Sequence, residues 1–551
     1  MKEFSFNSKK AFLQGLRPYH KASADFQFYD LFNFKPTKYG VVPYDKVINP
    51  FSLATFDGYG LLDEVFPFPQ LFIGKKYTIV AGATRIFIVT PHDWTSLIAL
   101  TTYDASDTDE EKAIEVGDKW EFADFWDTVF LTNGACTVFI SGVDLITDSE
   151  VKAYVSDTTP IGCTTAHKGR VIFGGFDPTN FWSDTAETFF ESWYDKHTNT
   201  GFNPYGSVEG ADQIAPVWEN FIWWSSIGGG DALFLFFPSS VLTSGFLPSA
   251  YNAAYPFFID IMQRNEQGFS PLPFQDKIIA LKNLGDYVIG ASNKGLASIR
   301  PVIAPAPTYS IYKLETGGLA SRGAIDGDDK HMVFLDNSGT LILLDNQLNI
   351  TPLGYREFFY PMLGNDITIS YSPMTLNNNN FGEFYICDGN ETFVLNEAGL
   401  FEVGHNITSV FFSEGATIGI CDELFDEDDI IGRIGLDAQT FSLPGLKTIE
   451  WVKLEMTEFS LEPTPLPTAQ VSIDYQYNVV SDDTWSSTGY RNVNKEGVAY
   501  FPVAGVRFRI NIKVSEYENF KYDSAEVGIK HGDKRYKRHV PIGEASTGAN
   551  L

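Results

Sequence analysis

Residues 286–299 read DYVIGASNKGLASI: an apolar strand, a tight turn at Asn293-Lys294-Gly295, and a second apolar strand. The same unit recurs as TIVAGATRIFIVT at 78–90, DTVFLTNGACTVFI at 127–140 and NFIWWSSIGGGDALFLFF at 220–237. It returns as HMVFLDNSGTLILLD at 331–345 and FYICDGNETFVLN at 384–396. Each copy reads as a β-hairpin, because Gly-rich and Asn-Gly turns supply the positive φ that short hairpin loops need. Successive turns lie about 44 to 65 residues apart, save one gap of about 95 with room for two units. Spacings near 50 point to propeller blades or another β-array.

Working outward from the hairpins, the expected fold is mainly β. An irregular β-propeller of about five to seven blades covers 71–445, and HKGRVIFGGFDPTNFWSD (167–184) supplies a strand inside the long gap. Helical patterns are weak: short helices are expected within 110–127 and 187–197, with 251–265 the best candidate. Residues 1–70 form an N-terminal arm or packing segment, in which DFQFYDLFNF (25–34) alternates as a strand. After the proline-rich LEPTPLPTAQ (461–470) the texture changes. VSIDYQY (471–477) and VRFRINIKV (506–514) alternate apolar and polar, and AYFPV (499–503) and SAEVGIK (524–530) add strands. They predict an antiparallel β-sandwich at 446–540 that takes in IEWVKLEMTEFSL (449–461), since about 75 residues alone make a thin core. Residues 541–551 read as a flexible tail.

Composition agrees. The 551 residues are 44% hydrophobic and 15% aromatic, ample for a buried core, so global disorder is excluded. Phe (47) and Tyr (26) outnumber Met (6), which suits pleated surfaces better than helix bundles. The formal net charge of −30 opposes attraction of nucleic acid through its phosphates. Four dispersed cysteines, Cys136, Cys163, Cys387 and Cys421, without a CxxC, read as small buried hydrophobes. The N-terminus lacks the apolar core of a signal peptide, so the product is expected to start in a cytoplasm. The most apolar run, 221–242, is broken by Gly228-Gly229-Gly230-Asp231 and is a hairpin, not a membrane span.

Catalytic signatures are missing. No GxSxG, GxxxxGK[ST], HExxH or EF-hand loop occurs, and the repeated turn of sialidases and the WD-repeat signature are absent. Eight histidines show no metal-ligand spacing, so no catalytic residue, cofactor or metal ligand is assigned. Acids crowd at Asp422–Asp429 and at Asp326, Asp328 and Asp329, as solvated loops or as sites for a hard cation. Against the acidic trend, KHGDKRYKRH (530–539) holds Lys530, Lys534, Arg535, Lys537 and Arg538. These five are the candidate subunit-interface residues, because a basic tip can dock on the next acidic copy around a ring; a solvated basic tail is the alternative.

Three stretches, GRVIFGGFDPTNFWSD (169–184), PLPFQDKIIALKNLGDYVIGASNKGLASI (271–299) and FPVAGVRFRINIKV (501–514) with DSAEVGIKHGDKR (523–535), carry a resemblance. The chain resembles β-propeller nozzle or tail-tubular proteins of short-tailed bacteriophages. The resemblance implies a structural virion component, not an enzyme: a ring of copies, often six, that meets other tail proteins such as an adaptor. DNA would pass through the ring transiently during ejection, and an acidic wall would let the polyanion slide. The rival expectation is a carbohydrate-binding or carbohydrate-active propeller that recognises a host receptor, its sugar platform drawn from Trp182, Trp193, Trp223 and Trp224. A cellular propeller scaffold for protein partners is a third.

Overall fold

The computed structural model describes residues 3–7, 16, 28–37, 40–44, 58, 60–61, 69–75, 77–90, 93–104, 110–125, 128–141, 151–156, 161–175, 218–225, 268–302, 308–373, 381–413, 416–421, 431–439, 441, 445–458, 469–477, 484–515 and 520–531. They fall into two compact units: residues 47–392 with 405–424, and residues 1–46 with 393–404 and 425–551.

The first unit is a β-propeller. Five four-strand antiparallel blades start at Gln70–Ile73, Glu121–Phe125, Cys163–His167, Ala280–Leu284 and Ile325–Gly327. Within this unit the sixth blade contributes Thr368–Ser372 and Glu383–Cys387, and the seventh is the pair Ile407–Ser413 and Ala416–Cys421. The second blade also takes Thr102–Asp104 as a parallel edge strand. From the second blade on, the starting strand of each blade lies beside that of the next and the seventh returns to the first; Gln70 and Phe72 of the first blade meet Trp120 and Phe122 of the second, so the ring is closed.

Hydrophobic burial explains both the blades and their order. The hairpins legible in the sequence are the middle strands of the blades, covered on both faces: every residue of Thr128–Thr132, Arg170–Gly174 and Glu383–Cys387 is buried. A strand buried on both faces reads as a near-continuous apolar run instead of an alternation. One core joins blades one and two through Ile79, Ile88, Trp120, Leu131 and Val138. Another joins blades three and four through Ile172, Ile222, Leu281 and Val288. Ile420 of the last blade packs with Val80 and Phe87 of the first, sealing the ring with apolar surface.

Side chains stop the turns. Asn133 Oδ1 accepts from the N–H groups of Ala135 and Cys136, and Asp336 Oδ1 from those of Ser338 and Thr340. Asp388 Oδ1 does the same for Asn390 and Glu391. Asx turns of this kind hold the chain where Gly134, Gly339 and Gly389 take positive φ. The long sequence gap is filled by Cys163–His167 and Arg170–Gly174, a hairpin turned at Lys168 and Gly169, both with φ above zero.

One expectation is corrected. The helix anticipated in 110–127 does not form: Glu121–Phe125 is a strand with Glu121, Ala123 and Phe125 buried, paired with Thr128–Thr132. Pairing outweighs the Glu/Lys-rich local preference there. The other two helical expectations, 187–197 and 251–265, lie outside the described residues, as do Gly229 and the linker core 461–468.

The second unit is a sandwich of two sheets. One runs Phe34–Thr37, Gly40–Pro43, Phe520–His531, Lys447–Glu458, Val498–Gly505, with Glu3–Asn7 also on Phe520–His531. In this unit the other runs Gly399–Val403, Phe28–Phe32, Ile431–Gln439, Arg507–Ser515, Ala469–Gln476. Lys447–Glu458 lies between two partners, so the described part of 449–461, up to Glu458, belongs to the sandwich; 459–461 lie outside the described residues. Arg507–Ser515 alternates strictly: Phe508, Ile510, Ile512 and Val514 are buried, while the intervening polar residues are only partly covered. Residues 28–44 of the N-terminal segment supply strands to both sheets, changing sheet at Asn33, whose φ is 57°. The tail 541–551 lies outside the described residues.

Candidate functional site

Polar residues on or beside the starting strands tie blade to blade. Gln70 Oε1 accepts the Trp120 N–H at 2.9 Å, and Glu121 Oε2 accepts the Thr164 N–H at 3.1 Å. Asp326 Oδ2 takes the Tyr371 N–H at 2.8 Å, and Ser370 Oγ the Val410 N–H at 2.9 Å. Ser409 Oγ takes the Leu71 N–H at 3.1 Å. In these five seams a side chain of one blade accepts a backbone N–H of the next, always in the same direction around the ring. The third and fourth seams differ. Asn283 Nδ2 donates to Ala166 O at 2.8 Å, and Lys282 Nζ stands 3.7 Å from Asp326 Oδ1.

Two further bonds join blades that are not neighbours, so they run across the interior of the ring. Lys119 Nζ, beside the second blade, donates to Ile369 O of the sixth at 3.3 Å. Arg322 Nη2, beside the fifth, donates to Thr132 O of the second at 2.9 Å. Burial, reinforced by the charge of Lys282, pulls the Lys119 ammonium down to about 8. Burial pushes the Glu121 carboxyl up, against the attraction of Arg322 and Lys282. Tyr371 Oη donates to Asp328 Oδ2 at 3.0 Å, and its hydroxyl is raised by burial and then by Asp328.

Lys119, Lys282 and Arg322 face Glu121 and Asp326, so the acidic excess of the chain is not concentrated here. A cavity of about 230 Å³ opens among the second to fifth blades, with Glu121, Thr164, Lys282, Asn283 and Asp328 on its walls.

The residues anticipated from sequence are placed as follows. Lys530, within Phe520–His531, is ion-paired to Glu450 of the same sandwich. Lys534, Arg535, Lys537 and Arg538 lie outside the described residues, as do Trp182, Trp193 and the cluster 422–429. Trp223 and Trp224 are buried and cannot form a sugar platform: Trp223 stacks on Phe173 and Trp224 meets Tyr309 edge-on. Asp326 and Asp328 bind Tyr371, and Asp328 Oδ1 also caps the turn at Lys330 and His331. Among the described residues no group of three His, Cys, Asp or Glu is arranged to hold a metal ion. Cys136, Cys163 and Cys387 are buried thiols.

Asp326 and Asp328 apart, the axial residues were not singled out by sequence reasoning. A signal existed: Gln70, Glu121, Lys282 and Asp326 each stand 12 or 13 residues ahead of a turn glycine, Gly82, Gly134, Gly295 and Gly339.

No protein-family model matches the chain, and no curated protein matches it. Among solved structures it is similar to the WD40 domain of Pan2 from Neurospora crassa, at 8% identity and a TM-score of 0.31, over 64% of this chain and 86% of that one. It is also similar to the computationally designed protein Ika8, at 10% identity and 0.31, over 66% and 82%. BamB from Moraxella catarrhalis follows at 10% and 0.26, over 58% and 66%. Similarities at this level carry no inference about ligand, partner or activity.

Proposed function

We propose that this chain is a structural subunit of a bacteriophage tail, a nozzle or tail-tubular protein that works as a ring of identical copies. The observation that carries the reading is the cross-tied propeller axis. Five directional seam bonds and two bonds across the ring make the propeller one stiff block. Stiffness of that kind suits a part that must hold shape while a pressurised genome moves past it. Because Lys119 and Arg322 bridge the interior, the DNA path in this reading runs between copies, not through one propeller.

The sandwich supports the same reading. It exposes Tyr477, Tyr490 and Tyr500, at 62%, 47% and 61%, and tyrosine is enriched where protein surfaces meet. The acidic balance of −30 would keep DNA from sticking to a wall built of such copies. Among the described residues no helix is long and apolar enough to cross a membrane.

Light scattering of the purified chain across a concentration series, with antibody labelling of phage particles from the source, tests the proposal. A discrete multimer and labelled tails are expected. A monomer at every concentration, with unlabelled particles, overturns it.

A further inference from the structure

The sandwich treats its cations in two ways. Arg433 and Lys530 are ion-paired within the chain, to Asp30 and Glu450. Arg509 and Lys513, on the outer face of Arg507–Ser515, have no carboxylate partner among the described residues. Asp474 lies directly across from Arg509, yet its Oδ2 accepts from Asn511 Nδ2 at 2.8 Å instead. In a chain of 70 acidic and 40 basic residues, cations left over on one face call for an explanation.

Arg509 is held in a fixed pose. Its guanidinium lies between two rings, 4.3 Å from the centroid of Trp485 and 4.6 Å from that of Tyr29. Gly435 makes the second contact possible, since a Cβ there would come within 2.9 Å of the Tyr29 ring. That ring lies over the strand, and its hydroxyl donates to Asn511, the residue across from Gly435. Arg507, two residues along the same face, stands 5.9 Å from the Trp485 ring. Rings grip a guanidinium by its flat face and leave its N–H edge for an acceptor. Arg509 Nε is enclosed without an acceptor, while the Nη groups are not enclosed and donate to no described residue. A fork fixed in this way has already lost its rotamer freedom, and it matches a carboxylate.

We infer that this face, centred on Arg509 with Arg507 and Lys513, docks on surface carboxylates of a second copy of this chain. Charge complementarity selects that partner: copies of charge −30 repel at long range, so they can join only where cations of one meet acids of the next. Arg, Trp and Tyr are also the residue types that concentrate binding energy at protein interfaces. Because a basic face meets an acidic one, the contact is head-to-tail, the type that generates rings. The inference rests on the ring reading and moves the contact away from Lys530, whose charge is taken by Glu450.

Sedimentation velocity and mass photometry on the full chain test the face. Arg509→Glu should weaken assembly about tenfold or more. Lys513→Glu, on the same face but in contact with neither ring, should also weaken it, and serves where the first variant does not fold. An internal clasp alone would not respond to Lys513. Lys168→Glu makes the same charge change in an exposed propeller pair and should assemble as wild type does. Wild-type multimers matched by both face variants overturn the inference and leave the ring reading standing. A wild type that stays monomeric overturns both. Equal loss in Lys168→Glu overturns the inference in favour of overall charge, and loss of binding to a DNA oligonucleotide with assembly intact overturns it in favour of a nucleic-acid face.

Discussion

The backbone N–H of Leu71 donates to Ser409 Oγ at 3.1 Å, joining the first strand of the propeller to the starting strand of its last blade across 338 residues of chain. Beside it Thr408 Oγ1 donates to Pro69 O at 2.8 Å. A ring closed through side chains depends on groups that can be deleted singly. Ser409→Ala leaves a buried N–H without its acceptor, a loss of about 1–3 kcal/mol. The urea midpoint of the propeller transition should fall accordingly, and Ser409→Thr, which keeps an oxygen there, should recover most of it. An unchanged midpoint in the alanine variant would show that the Thr408–Pro69 bond and apolar packing around Ile420 close the ring without Ser409.

Lys119 gives the propeller a pH signature. Its ammonium is pulled down to about 8 from 10.5, so above pH 8 the unfolded chain holds a proton that the folded chain has released. The penalty is therefore full below pH 8 and fades as pH rises toward 10.5. Lys447 in the sandwich, lowered by burial to about 8, acts in the same sense, so the comparison needs a variant. Tyrosines raised by burial, Tyr371 among them, work oppositely above pH 10. Between pH 8 and 9.5 the wild type should gain stability relative to Lys119→Met, on the order of 1–2 kcal/mol. Parallel stability curves for the two proteins would contradict the burial of this charge.

Asn33 should be the most sensitive corner of the sandwich. Its Oδ1 accepts the Gly404 N–H at 2.9 Å, and its Nδ2 donates to Ile431 O at 3.2 Å. Its backbone N–H donates to Glu402 O, and its carbonyl accepts from Tyr44. Asn33→Ala loses both side-chain bonds and forces alanine into positive φ, costing about 3 kcal/mol in all. Asn33→Gly should recover the conformational part but not the hydrogen bonds. Thermal unfolding of the two variants checks the order: wild type, then glycine, then alanine.

What the sequence revealed follows from burial. The middle hairpins of the blades were legible because both of their faces are covered, so Thr128–Thr132 or His331–Leu335 reads as an apolar run closed by a turn. Arg507–Ser515 was legible for the converse reason, one face in and one partly out. The starting strands escaped notice because each carries its information in a polar residue, such as Gln70 or Ser409, whose partner lies in another blade. Glu121–Phe125 was misread as helical because Glu and Lys dominate the residues ahead of it. The pairing of Phe28–Phe32 with Ile431–Gln439, sealed by the Asp30–Arg433 ion pair at 3.2 Å, links segments some 400 residues apart and leaves no local trace. The cavity was invisible for a related reason: its walls, with Glu121, Thr164, Asn283 and Asp328, come from four blades.

The assembly itself offers the most direct test of the tail assignment. Electron microscopy of the purified chain, negatively stained over a range of concentrations, should show closed rings of identical copies with an opening between the propellers. Fields of separate single-copy particles at every concentration would contradict the proposed role.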